Sequence, residues 1–240
     1  MATQAARTQS VYQTALVNYL ISMARTVEVS VNRALSALLA DAAEASQAPG
    51  EIFLLEPRIN EMEMIIDDHA VRLLRDERLN AEDIRQVVAT LKITNDLERM
   101  GDLAVNLAER IVSLADMPRV DQPPELEPMV VAVGAMVRKS LGALIFRNVV
   151  LAGEVLESDD LVDRYRDQIF ERLMVTMTEH PVKVAPSLQL VLASRYLERL
   201  ADHATNIAED IIFWVRGLDV RHGRGWNPAG EGTAAVTENS

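Results

Sequence analysis

Apolar positions recur every three or four residues along most of the chain, the spacing of amphipathic helices. Turn residues interrupt that rhythm and divide the chain into six long helical segments. The first is expected from about Ser10 to Asp41, ending before Pro49 and Gly50. The second runs from about Ile52 to Asp76, with Pro57 expected in the first turn of its firm part. A third starts near Ala81 and continues to about Ala115. The stretch MPRVDQPPELEP, with four prolines in twelve residues, is the clearest break. A fourth helix follows from about Glu125 to Ala152, a fifth from about Ser158 to Thr178 and a sixth from about Pro186 to Arg216. From Gly217 the chain is rich in Gly and small polar residues, and most of it is expected to be mobile.

The pattern repeats. DLERMGDLAVNLAE, from Asp96 to Glu109, returns as YLERLADHATNIAE, so that Glu98, Asp102, Asn106 and Glu109 reappear as Glu198, Asp202, Asn206 and Glu209, displaced by 100 residues. At the same offset Glu63 and Asp67 correspond to Asp163 and Asp167, and Ile84, Val88 and Leu91 to Val184, Leu188 and Val191. This is a duplicated three-helix unit, clearest in the second and third helix of each copy. The expected organisation is a first three-helix bundle over 1–117, a proline-rich linker over 118–128, a second bundle over 129–220 and a mobile tail over 221–240.

Helical phase separates apolar from acidic positions. Ile93, Leu97, Met100, Ala104, Leu107, Ile111 and Leu114 form one stripe, as do Ala193, Leu197, Leu200, Ala204, Ile207 and Ile211. Glu98, Asp102 and Glu109, like Glu198, Asp202 and Glu209, project to the other side and are expected to form an outer acidic ridge. Ile84, Val87, Val88 and Leu91, with Val184, Leu188 and Val191, continue that line as an apolar patch suited to meeting another surface.

Four motifs of the form (Glu/Asp)-x-x-x-Asp result: Glu63/Asp67, Glu98/Asp102, Asp163/Asp167 and Glu198/Asp202. Like charges four apart on a helix repel by a few tenths of a kcal/mol (roughly 0.2–0.5) unless something neutralises them. A bound cation is one answer, since oxygen ligands from two helices suit Mg, Mn, Fe or Zn. Asn106, Glu109, Asn206 and Glu209 are possible additional ligands. The plainer answer is a solvated acidic face with local pairing, Arg99 to Asp102, Arg199 to Asp202 and Arg195 to Glu198. Helical rise displaces the two motifs of one unit by roughly 8 Å, which leaves one extended site or two separate ones open. His203 could add a nitrogen ligand, but its counterpart is Leu103, and a partly exposed polar role is the simpler expectation.

Composition narrows the function. Hydrophobic residues make up 49% of the 240 and aromatics 4%, an all-α composition. The net charge of −12, with no Lys/Arg stripe, argues against nucleic-acid binding. No cysteine occurs, which removes thiolate chemistry and Cys-ligated metals. The first residues have no basic start followed by an apolar stretch, so no signal peptide is expected. No uninterrupted apolar segment approaches the ~20 residues that span a bilayer. Glu-x-x-His, a Gly-rich phosphate loop and G-x-S-x-G are all missing, which speaks against di-metal carboxylate enzymes and nucleophilic chemistry.

RYLERLADHATNIAEDIIFWVRG resembles the carboxy-terminal signature of the PhoU family of phosphate-uptake regulators, and AEDIRQVVATLKITNDLERMGDLAVNLAERI resembles its first-repeat signature. The resemblance extends over about residues 10–222. It implies two similar three-helix bundles and a non-enzymatic, cytoplasmic regulator reaching the inner face of the membrane only through partners. Those partners would be the ATPase subunit of the phosphate ABC transporter and a phosphate-sensing histidine kinase, with the chain a homodimer. It further implies a multinuclear Fe or Zn site, with Mg or Mn as alternatives, on the four carboxylate motifs, and no organic cofactor. A metal-free acidic scaffold or chaperone-like binder is the alternative, and a carboxylate-bridged metalloenzyme a more distant one.

Overall fold

A computed structural model describes residues 2–40, 45–75 and 79–221, with side chains from residue 12 onward. It is all-α. Helices α1 (Ala2–Leu39), α2 (Ala48–Leu74) and α3 (Ala81–Ala115) pack on one another as the first cluster. The second comprises α4 (Leu126–Phe146), α5 (Val149–Leu156), α6 (Asp159–Glu179) and α7 (Val184–Arg216), with a short 3-10 turn at Pro181–Lys183 before α7. The expected six segments are therefore present, with the fourth divided in two.

Local chemistry explains the boundaries. Asn80 starts α3 through a capping box: its Oδ1 accepts from the Glu82 and Asp83 amides at 2.8 and 2.9 Å, and Asp83 accepts from the Asn80 amide at 3.2 Å. Helix α2 begins nine residues before Pro57, which lies inside the helix and not in its first turn; Pro49 occupies the helix-starting position. The fourth segment breaks because Arg147 adopts a left-handed conformation (φ 50°, ψ 42°). The Asn148 amide then bonds the Ala143 carbonyl at 2.9 Å, closing the helix, and the Asn148 side chain caps α5 by accepting from Val150 and Leu151.

The described chain continues for a few residues beyond α7. Gly217, at φ 71°, caps α7, and Val220 is buried, so the segment to Arg221 folds back onto the protein. The remainder of the tail, 222–240, lies outside the described residues.

The apolar stripes behave as anticipated. Ile93, Leu97, Met100, Ala104 and Leu107 are fully buried, as are Ala193, Leu197, Leu200, Ala204 and Ile207. Helix α4 is long and apolar enough by composition to cross a membrane, yet Leu126, Met129, Val133, Met136, Val137 and Leu141 are packed into the core.

The clusters join through α1 against α4 and, above all, α3 against α7. Helices α3 and α7 run antiparallel, since Lys92 meets Asp210 near one end and Arg110 meets Gln189 near the other. With the repeat offset of 100, an approximate two-fold axis crosses this contact beside Met100 and Leu200. Both α3 and α7 are thus surrounded on three sides, and their acidic positions flank packed faces.

Candidate functional site

Each carboxylate quartet lies where the second helix of a unit meets its third. In the first cluster Gly101 lets α2 approach α3 closely: a Cβ there would lie 3.0 Å from Ile59 Cδ1. Glu63 and Asp67 of α2 consequently share an electrostatic environment with Glu98 and Asp102 of α3. Burial, then the charge of Asp67, raises the Glu63 pKa above its ordinary value. Burial, then Asp102, does the same for Glu98. Arg99 is their counter-charge, 3.4 Å from Glu98 and 3.7 Å from Asp102.

The second quartet is built differently. Arg166 Nη1 of α6 donates to Glu198 Oε1 at 2.7 Å and reaches Asp163 Oδ1 at 3.0 Å, while Nη2 contacts Asp167 Oδ1 at 2.9 Å. The equivalent residue in the first cluster is Ile66, fully buried. Asp202 lies outside this clasp. Burial, followed by the charges of Glu198, Asp159 and Asp163, pushes its pKa up to about 6. Asp159, which stands where the first cluster has Ile59, is a fifth acid that the repeat pattern missed, and burial and Asp163 raise its pKa as well.

The ridge is an outer face only in part: Asp202 and Glu109 are exposed, whereas Glu98 and Glu198 are largely covered. The side chains of Glu98 and Glu198 are only 17% and 21% exposed, because the flanking helices cover them. The apolar continuation divides similarly: Val87 and Val191 are buried, whereas Ile84, Val88, Val184 and Leu188 are exposed.

The possible additional ligands are elsewhere. Glu109 pairs with Arg110 at 3.0 Å. Asn206 donates to Asp96 across the α3–α7 contact at 3.2 Å, and His203 Nδ1 lies 2.7 Å from the same Asp96 oxygen. His203 is thus a joint between the two clusters. The repeat pattern offered no signal for the buried Asp96 and Asp210 or for the half-buried Lys92 that pairs with Asp210 at 2.8 Å, their counterparts at the 100-residue offset being Tyr196, Arg110 and Leu192.

The two quartets offer only carboxylate oxygens, from two helices each, a donor set that suits Mg, Mn, Fe or Zn. As the side chains stand, no three His, Asp or Glu among the described residues are arranged around one ion. In the second quartet Arg166 takes the place of a cation and would have to withdraw from it. The first quartet has Arg99 beside it, and Glu63 and Asp67 would turn toward Glu98 and Asp102.

Known proteins place this architecture. The PhoU domain model matches residues 20–111 and again 126–211, one match per cluster. A phosphate-specific transport system accessory protein PhoU homolog of Pseudomonas aeruginosa is 36% identical over 209 residues, covering 85% of this chain and 84% of its own length. The homolog from Deinococcus radiodurans is 32% identical, covering 85% of this chain and 94% of its own. The crystal structure of PhoU from Pseudomonas aeruginosa superposes with a TM-score of 0.80 at 33% identity, covering 87% of this chain and 99% of that one. PhoU from Streptococcus pneumoniae shares the fold, with a TM-score of 0.77 at 22% identity over 88% of this chain and 99% of that one. Two family matches in tandem, each containing one carboxylate quartet, make this chain a member of the PhoU family, whose proteins are regulators and not catalysts.

Proposed function

We propose that this chain regulates phosphate uptake and phosphate-starvation signalling by protein–protein contact. Its partners are the ATPase subunit of the phosphate ABC transporter and a phosphate-sensing histidine kinase. It works in the cytoplasm as a homodimer, reaching the inner membrane face through those partners. The observation that carries the reading is the duplicated carboxylate quartet, set in a chain whose relatives bear the description of phosphate-transport accessory proteins. Glu63, Asp67, Glu98 and Asp102 hold metal in the first cluster; Asp163, Asp167, Glu198 and Asp202 do so in the second. The bound cation neutralises packed carboxylates and fixes the shape of the docking face.

Replacing Asp102 and Asp202 together by Ala tests this. Loss of repression of the starvation response in phosphate-replete cells is expected, with the fold retained by circular dichroism. Normal repression would remove the quartets from the mechanism while leaving the regulator reading in place.

One observation favours a second reading, a metal-free scaffold: Arg166 already neutralises much of the second quartet. Metal analysis of protein purified without added metal separates the two.

A further inference from the structure

A cleft of about 240 Å³ opens where α1, α3 and the α4–α5 junction meet, and no quartet residue lines it. Its polar lining is Gln13, Thr14 and Asn18 from α1, Gln86 from α3, and Arg147. In a chain with 36 acidic residues against 24 Lys and Arg, this lining contains no carboxylate. Amides, a hydroxyl and a guanidinium present hydrogen-bond donors, and among the described residues the buried Gln13 Nε2 has no partner.

Arg147 is braced at the cleft by its backbone turn and by Trp214. It is the non-glycine residue with positive φ among the described residues, at a helix-ending position that glycine would fill without strain. Its guanidinium stacks 4.7 Å from the ring centroid of the buried Trp214, which fixes its direction. The left-handed turn that ends α4 thus places a braced cation at the edge of a cleft lined by neutral donors, an arrangement suited to an anion.

We propose that this cleft binds a small oxyanion of the phosphate class, with Arg147 supplying the charge-assisted contact and Gln13, Asn18 and Gln86 donating from their side-chain amides. A fork-shaped guanidinium matched to a tetrahedral oxyanion gives the specificity, and the neutral donors complete the shell. The site depends neither on metal at the quartets nor on a partner protein.

Isothermal titration of the full chain with inorganic phosphate, and separately with sulfate, tests the proposal. Binding in the millimolar range or tighter is expected. Arg147→Gly should weaken it about tenfold or more while keeping the fold, because glycine accepts the left-handed conformation; a melting curve checks this. Gln13→Leu should weaken it several-fold. Preference for phosphate over sulfate, or equal binding of both, supports an oxyanion site. Failure of both anions to bind the parent protein, or binding unchanged in both variants, overturns it.

Discussion

Arg166 of α6 bonds Glu198 of α7 at 2.7 Å, and through the same guanidinium it also holds Asp163 and Asp167. One arginine thereby ties three of the four carboxylates of the second quartet, and the first quartet has a buried isoleucine in its place. The two halves of a duplicated site therefore begin from different electrostatic states. Arg166→Gln should lower stability by about 1 kcal/mol in chelator, since these pairs are partly exposed. Added Mn²⁺ or Zn²⁺ should raise the melting temperature of the variant more than that of the parent. An equal rise in both would mean that the guanidinium does not compete with metal.

Lys92 and Asp210 make the corresponding point for the joint between clusters. Asp210 is almost fully buried, and Lys92 at 2.8 Å partly offsets the upward shift that burial imposes on its pKa. Lys92→Met should cost about 2 kcal/mol in urea unfolding, because it leaves a buried carboxylate without its partner. Lys92→Met with Asp210→Leu should recover most of that loss. Additive losses in the double variant would show that the pair is not coupled.

The pH dependence has a definite sign. The Asp202 pKa is raised to about 6 from its ordinary value of 3.8, so between those values the folded protein binds more protons than the unfolded chain. This group's contribution to stability falls as pH rises through that window and is lowest above pH 6. Glu63, Glu98 and Asp159 act in the same direction; Asp219, lowered by Arg221, acts in the opposite one. In chelator, Asp202→Asn should raise the melting temperature at pH 7.5, with a gain that shrinks toward pH 5. A constant difference across that range would contradict the assignment.

Gly217 is required by geometry. At φ 71° a side chain is strained, and a Cβ would fall 2.5 Å from Arg85 Nη1. Gly217→Ala should destabilise by about 1–2 kcal/mol in chemical denaturation. A neutral result would mean that the turn into Leu218–Val220 contributes little.

How much of this was legible in the sequence follows from periodicity. The stripes Ile93–Leu107 and Ala193–Ile207 are buried because a 3.6-residue rhythm reports packing directly. The repeat likewise located the carboxylate quartets, since duplication preserves spacing. The outer position assigned to Glu98 and Glu198 failed because phase identifies one packed face, whereas α3 and α7 each have neighbours on three sides. Asp96, Lys92 and Asp210 went unread, and His203 was read as polar but without its partner, because they join unlike residues from the two copies. The break at Arg147 carried no glycine signal; Asn148, a good N-cap, was the cue.

As proposed, this chain acts by contact with the phosphate-transport machinery. The most direct measurement is a pull-down of the tagged full-length protein from cells grown in high and in low phosphate. Recovery of the transporter ATPase subunit and the sensor histidine kinase is expected, more strongly in high phosphate, and weakened by the paired Asp102→Ala and Asp202→Ala changes. Recovery of neither protein under either condition would contradict it.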